Sequence, residues 1–262
     1  MHIVPLVLVC LDDEAKRFRC KDVEKHFESF PYYNRFQGND PIMTTTYAIQ
    51  TVCTMKVIRM VARSVNTTVY LHGGSHLGAL IHGGPIPWDD DADMIMDYTK
   101  KTAFMQECLH VGKPLRCLNA KFAIKVWLDS PNTYETGYPW RWPFVDLCFF
   151  KTNNMYIYET DVNGFLQKHP TPQRYKLTDY FPAKPTYFGG TYFAAPQDKI
   201  PTDRYDTTIC KIGNWNHRLE RPSTPALLHC DKQKKRFPFI YNKTVIYNHF
   251  NKTLLPPQIV LN

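Results

Sequence analysis

The sequence predicts an α/β (α+β) fold, a mixed sheet flanked by helices with an irregular, loop-rich C-terminal half. Three observations predict it. Ile49, Val52, Cys53, Val57, Met60 and Val61 recur at helical spacing. The runs Val69–His72, Lys121–Leu128 and Phe144–Phe150 are short and apolar, as buried strands are, and helical stretches separate the first two. Most of the 20 prolines fall from residue 131 onward, where no long helical period survives.

Bulk properties narrow the class. The chain has 262 residues, 44% of them hydrophobic and 14% aromatic, which is too apolar for a disordered protein. A formal net charge of +8 and a pI near 9.0 allow an anionic partner such as a nucleotide, nucleic acid or acidic membrane, or simply a basic solvated surface. No two of the eight cysteines form a CxxC pair, which argues against a zinc ribbon. The even count permits disulfides. Sequons at Asn66, Asn242 and Asn251 lean with it toward the secretory lumen; a cytoplasmic location is the alternative.

The elements follow in order. Ile3–Leu11 is apolar but too short to span a bilayer, and it lacks the basic flank and cleavage site of a signal peptide. It reads as a buried strand, and any membrane anchor lies outside this chain. Val23–Phe30 suits a short amphipathic helix, and Pro31–Met43 a loop. Thr44–Val65 is the clearest helix, with Thr44 or Thr45 as its cap and Lys56, Arg59 and Arg63 off the apolar face. Val69–His72 is a strand. Gly73-Gly74-Ser75 is a sharp turn, with Ser75 placed to cap a helix over His76–His82. Gly83-Gly84-Pro85 ends that helix, and Asp91–Met96 is the next strand. Thr102–His110 is helical, Asp129–Pro143 a loop and Met155–Tyr158 a strand. Asp203–Ile212 suits a short helix. Lys232–Asn262 holds six Lys/Arg and no acid. The division is an N-terminal extension (1–43), a main domain (44–230) and a basic tail (231–262).

One stretch carries the chemistry. Asp89, Asp90, Asp91 and Asp93 crowd five positions, and no Lys or Arg lies between Pro85 and Thr99. Strand alternation puts Asp91 and Asp93 on one face, where two carboxylates can grip a divalent ion. Oxygen-only ligands suit Mg²⁺ or Mn²⁺. Asp146 sits among Phe144, Val145, Leu147 and Phe149, where a lone carboxylate needs a cation or hydrogen-bond donors. If its strand lies beside Asp91–Met96, three acids converge. Gly73, Gly74 and Ser75 let the backbone approach a phosphate, with the following helix aimed at it. Together these are the parts of phosphoryl or nucleotidyl transfer. Taken singly, each is commonplace: a turn, a surface DxD, a buried ion-pair partner.

SHLGALIHGGPIPWDDDADMIM resembles the signature of the LicD family, which includes fukutin and fukutin-related protein. The matching residues are Gly74, Leu77, Gly78, Ala79, His82, Gly84, Ile86, Pro87, Trp88, Asp89, Asp91 and Asp93. VDLCFF resembles the strand bearing the family's third acid, here Asp146. Ala195–Pro222, with Gly213–Trp215, resembles its closing region. Ser75-His76 departs from the family's usual Thr or Ser followed by Leu, and Ile212-Gly213 from its closing Tyr-Gly.

The resemblance implies a nucleotidyltransferase-like fold and transfer of a phospho-alcohol from a CDP-activated donor, such as CDP-choline or CDP-ribitol, to a glycan. On this reading Asp91, Asp93 and Asp146 hold Mg²⁺ (or Mn²⁺) and carry catalysis, with Asp146 as third ligand or general base. Gly73, Gly74, Ser75 and Trp88 contact the donor, although Trp88 equally suits packing of the turn. Asp89 and Asp90 orient the loop or bind a second metal. His217 and Arg218 suit either phosphate binding or a solvated surface. The alternatives are a nucleotidyltransferase for RNA or a small molecule, and a non-catalytic glycan-binding protein of the same fold. The absence of a separate RNA-binding module speaks against nucleic acid.

Overall fold

The computed structural model describes residues 20–29, 44–165, 174–197, 210–224, 226–228 and 230–236. The expected strand at Ile3–Leu11, the loop at Pro31–Met43, the sequons at Asn242 and Asn251 and most of the basic tail lie outside them.

The chain begins with α1 (Lys21–Ser29) and α2 (Thr45–Ser64), then β1 (Val69–Leu71), α3 (Gly73–Ile81) and β2 (Asp93–Asp97). A 3₁₀ turn (Tyr98–Lys100) leads into α4 (Lys101–Val111), β3 (Leu115–Asn119) and β4 (Ile124–Leu128). A small hairpin, β5 (Tyr134–Glu135) and β6 (Arg141–Trp142), precedes β7 (Val145–Thr152), β8 (Tyr156–Thr160) and β9 (Arg174–Lys176). After α5 (Leu177–Tyr180) come β10 (Lys184–Phe188) and β11 (Thr191–Ala195). The described part closes with β12 (Cys210–Ile212), β13 (Trp215–Asn216), β14 (Arg221–Pro222), β15 (Ala226–Leu228) and α6 (Cys230–Arg236).

Nine strands form one sheet, in the order β10-β11-β1-β2-β7-β4-β3, with β8 paired to β7 and β9 to β8. The β1/β11 and β2/β7 pairs are parallel and the others antiparallel, so the sheet is mixed. One face is apolar. Val69, Leu71, Met94, Met96, Ile124, Val126, Val145, Leu147 and Phe149 pack with Val52, Met55 and Ile58 of α2. Helix α1 joins this layer through Val23 and Phe27, a Cys20–Cys53 disulfide and a Lys56–Asp22 ion pair. Further disulfides join Cys108 to Cys117 and Cys210 to Cys230, while Cys148 is free. The opposite face divides into an apolar patch (Ile95, Phe150, Ile157 and Tyr180) and a charged row that forms the candidate site.

Most expected elements form, with shifted ends. Thr44 caps α2, accepting a hydrogen bond from the Tyr47 N–H. The buried face of α2 is rotated from expectation: Met60 is exposed, and Met55, Ile58 and Ala62 are buried. The apolar spacing alone did not choose between two adjacent stripes. Gly73-Gly74-Ser75 is the first turn of α3 rather than a separate turn, and His72 holds the cap position. Strand β2 begins at Asp93, so Asp91 lies just before it. The loop over Asp129–Pro143 contains the β5/β6 hairpin. Cys210–Ile212, expected at the end of a helix, is a strand paired with β15, and 201–209 lie outside the described residues.

Candidate active site and metal centre

Strand register builds the site. Asp93 of β2 sits beside Asp146 of β7, and Asp146 beside Lys125 of β4. Partners across a ladder point to the same face, so acid, acid and ammonium stand in a row. Asp91 joins from the segment preceding β2, itself held to β7 by the Asp146 N–H donating to the Ala92 carbonyl (2.8 Å). Oxygens of Asp91, Asp93 and Asp146 lie within 4.8 Å of one another. The convergence anticipated from the sequence is therefore present.

Each acid is fixed by neighbours. The Asp93 N–H donates to Ser75 Oγ (2.9 Å), which locks the start of β2 onto α3. Ser75 thus anchors the strand and does not cap the helix. Lys125 Nζ binds Asp146 Oδ2 at 2.9 Å, above the Phe144 ring at 3.8 Å. His217 spans two acids: Nδ1 lies 2.8 Å from Asp90 Oδ1 and Nε2 lies 3.1 Å from Asp91 Oδ2. The backbone N–H groups of His217 and Arg218 donate to Asp90 Oδ2 (2.9 and 3.2 Å). Asp90 therefore docks the turn after β13 and steers His217 onto Asp91. The surface-pair alternative for His217 and Arg218 fails: both are half-buried, and Arg218 lies 3.9 Å from the centre of the Tyr134 ring.

Crowding sets the electrostatics. Loss of hydration raises the carboxyl of Asp93 well above the usual range, and Asp91 and Asp146 raise it further. Asp89 is raised for the same first reason, with Asp91 adding to it. Asp146 is also raised by burial, and Lys125 partly offsets this. Burial alone would lower His217, but Asp91 and Asp90 outweigh it and push the imidazole up to about 10. His217 is thus a cation at neutral pH in the metal-free protein.

A divalent cation fits these residues. The donor set is all oxygen, which suits a hard ion. Asp146 Oδ1 is buried without a hydrogen-bond partner, although its sister oxygen is bound to Lys125. Such an orphaned carboxylate oxygen is expensive unless a cation meets it. The raised carboxyls of Asp93 and Asp146 report the same deficit of positive charge.

The other sequence candidates fall around this centre. A Cβ on Gly74 would come within 2.7 Å of Asp89 Oδ2 and push that carboxylate away, because it lies against the first turn of α3. Trp88 is buried with Ile86, Cys210 and Ile212, which is the packing alternative. Sequence reasoning missed Lys125 and Glu220. The first had a signal, a charge inside the apolar run AIKVW. Glu220 had none, because its partners Trp140, Trp215 and Lys125 are distant in the chain or change with the fold.

The family model for LicD/FKTN/FKRP nucleotidyltransferase domains matches residues 66–198, just over half of the chain, and the chain belongs to that family. Membership implies a transferase with a phosphotransferase-like role on glycans. No curated protein matches the chain. The matched span contains Asp91, Asp93, Lys125 and Asp146, and it ends before His217 and Glu220.

Proposed function

We propose that the protein transfers a phospho-alcohol group, of the phosphocholine or ribitol-phosphate kind, from a CDP-activated donor to a hydroxyl of a glycan, with Mg²⁺ or Mn²⁺ as cofactor. One observation carries the reading: three carboxylates converge on a point where Asp146 Oδ1 is buried and unpartnered. In the reaction the acceptor oxygen bonds to the phosphorus that bears the alcohol. The phosphoanhydride bond breaks, CMP leaves, and the hydroxyl proton passes to a base. A bound divalent ion supplies charge neutralisation for the donor diphosphate. Asp91, Asp93 and Asp146 would hold it. Lys125 and His217 hold two of those acids in place and add positive charge around the reacting phosphate. The alternative role for Asp146, in place of ligating the ion, is that of the base. Gly73, Gly74 and Ser75 remain the candidate donor contact, with a phosphate there sharing the first turn of α3 with Asp89.

The working unit of this reading is residues 44–230, because His217 and Glu220 belong to the site and the Cys210–Cys230 bridge closes the segment that carries them. Three disulfides and an exposed sequon residue, Asn66, support a secretory-lumen setting. Among the described residues no helix is long and apolar enough to cross a membrane.

The direct test is a thermal-shift screen of CDP-choline and CDP-ribitol with and without Mg²⁺, followed by turnover. Metal-dependent stabilisation by one donor, with CMP release, is the expected result. No metal effect on stability, with or without donor, would sink the assignment.

A further inference from the structure

A cluster of aromatic rings beside the acids has no part in holding the metal. Tyr138 is 52% exposed and Trp215 39% exposed. The Tyr138 ring stacks on Trp140, with centroids 4.9 Å apart and planes 20° from parallel. Both indole N–H groups are already used: Trp140 Nε1 donates to Glu220 Oε1 (2.8 Å) and Trp215 Nε1 to Glu220 Oε2 (3.2 Å). An indole whose one polar group is satisfied internally has only ring faces left to offer a ligand. Grouped exposed apolar surface of this kind marks binding sites more often than bare solvent contact.

Glu220 couples these rings to the reaction centre. Its Oε1 lies 3.7 Å from Lys125 Nζ, which binds Asp146 and stands 5.5 Å from the Trp140 ring centre. Strand order then separates the two reactants. Across β1-β2-β7-β4, α3 starts from the β1 flank of Asp93, and Trp140 lies near Lys125 on the β4 flank of Asp146. Phosphoryl transfer places attacking and leaving oxygens roughly in line, on opposite sides of the phosphorus. With the nucleotide leaving on the α3 flank, the β4 flank faces the acceptor. A pyranose ring matches what is there. Its C–H face suits an aromatic ring, and the hairpin that carries Tyr138 and Trp140 also carries an exposed ion pair, Glu135 with Arg141, of the kind that sugar hydroxyls bind.

We propose that Tyr138, Trp140 and Trp215 form a stacking subsite for a sugar ring of the acceptor glycan and so determine acceptor specificity. The proposal rests on the transfer reading above, and its test separates the two. The full chain and its Tyr138→Ala and Trp215→Ala variants would be applied to a glycan array. The best-bound oligosaccharide and CMP would then be titrated by tryptophan fluorescence, and Mg²⁺ by thermal shift. Tyr138→Ala leaves the Glu220 network intact, so it reads the ring face alone. The expected result is glycan binding by the wild type and a loss of about tenfold or more in each variant, the scale of truncating an aromatic anchor, with the CMP and Mg²⁺ responses unchanged. Equal glycan binding by the variants, no glycan binding by the wild type, or loss of CMP affinity in their place would overturn it. Tyr138-dependent glycan binding without any Mg²⁺ response would instead uphold the sugar subsite and remove the transfer reading.

Discussion

The two faces of the central sheet treat charge in opposite ways, and two histidines show it most clearly. His26, on α1 beneath the β10/β11 hairpin, is buried, and loss of hydration drives it down to about 4. His217, on the open face, is also largely withdrawn from water, yet Asp91 and Asp90 push it up to about 10. Burial acts in the same direction on both, and the neighbours decide the outcome. The helix-covered face excludes charge to keep a continuous core. The open face gathers acids faster than it gathers cations, and that imbalance is what a metal would correct.

The comparison is broken most severely by removing the acids. Asp91→Ala and Asp93→Ala should each reduce CMP release from the donor by about 10³-fold, the scale of losing an aligned electrostatic group, and Asp93→Ala should in addition raise the stability of the metal-free protein near neutral pH. The sign follows from the raised Asp93 carboxyl. A folded state that holds protons more tightly than the unfolded chain loses stability as pH rises above the unfolded carboxylate range. Mg²⁺ should flatten that slope in the wild type, which a melting series with and without the ion would read.

Lys125→Met comes next. It leaves Asp146 with no cation, and removing one partner of a buried pair costs about 3–5 kcal/mol. Chemical denaturation should register that loss, and Mg²⁺ should restore part of it, which a purely structural lysine would not allow. His217→Asn keeps the fold but frees Asp91 to rotate, and a 10–100-fold weakening of Mg²⁺ binding by calorimetry is the expected result.

The smallest effects sharpen the contrast between the histidines. Between about pH 4 and 6.5 the unfolded chain protonates at His26 and the folded state does not, so stability falls as pH falls through that window, by up to ~3 kcal/mol. Between 6.5 and about 10 the metal-free folded state keeps a proton on His217 that the unfolded chain loses, so stability falls as pH rises there. Denaturation midpoints of His26→Gln and His217→Asn across both windows should each lose one limb.

What could be read from the sequence was local. The α2 period, the strand before α3, the DxD and the isolated Asp146 all announce themselves within a few residues, and the fold places them together. Lys125 carries the same kind of signal as Asp146, a charge inside an apolar run, but a weaker one, because a lysine stem can lie along an apolar surface. The β10/β11 hairpin was missed in an aromatic-rich stretch, although Gly189-Gly190 between two strand-like runs is a two-residue hairpin signal. Both glycines have positive φ, 56° and 96°, as the tight turn requires. Glu220 has no local signal, and the sequence offers His217 only as a phosphate ligand or a surface residue. Their meaning comes from a turn that docks on Asp90, more than a hundred residues earlier in the chain.

The parallel pairing of β2 with β7 bears on when the site comes into being. Asp93 and Asp146 become neighbours only after the chain has crossed over through α4, β3 and β4, a long loop to close before any reward. A collapsed intermediate with α2 formed and β1 paired to β2 would hold Asp91 and Asp93 without the third acid. Tight metal capture should therefore mark a late step of folding, and its time course would report the arrival of β7.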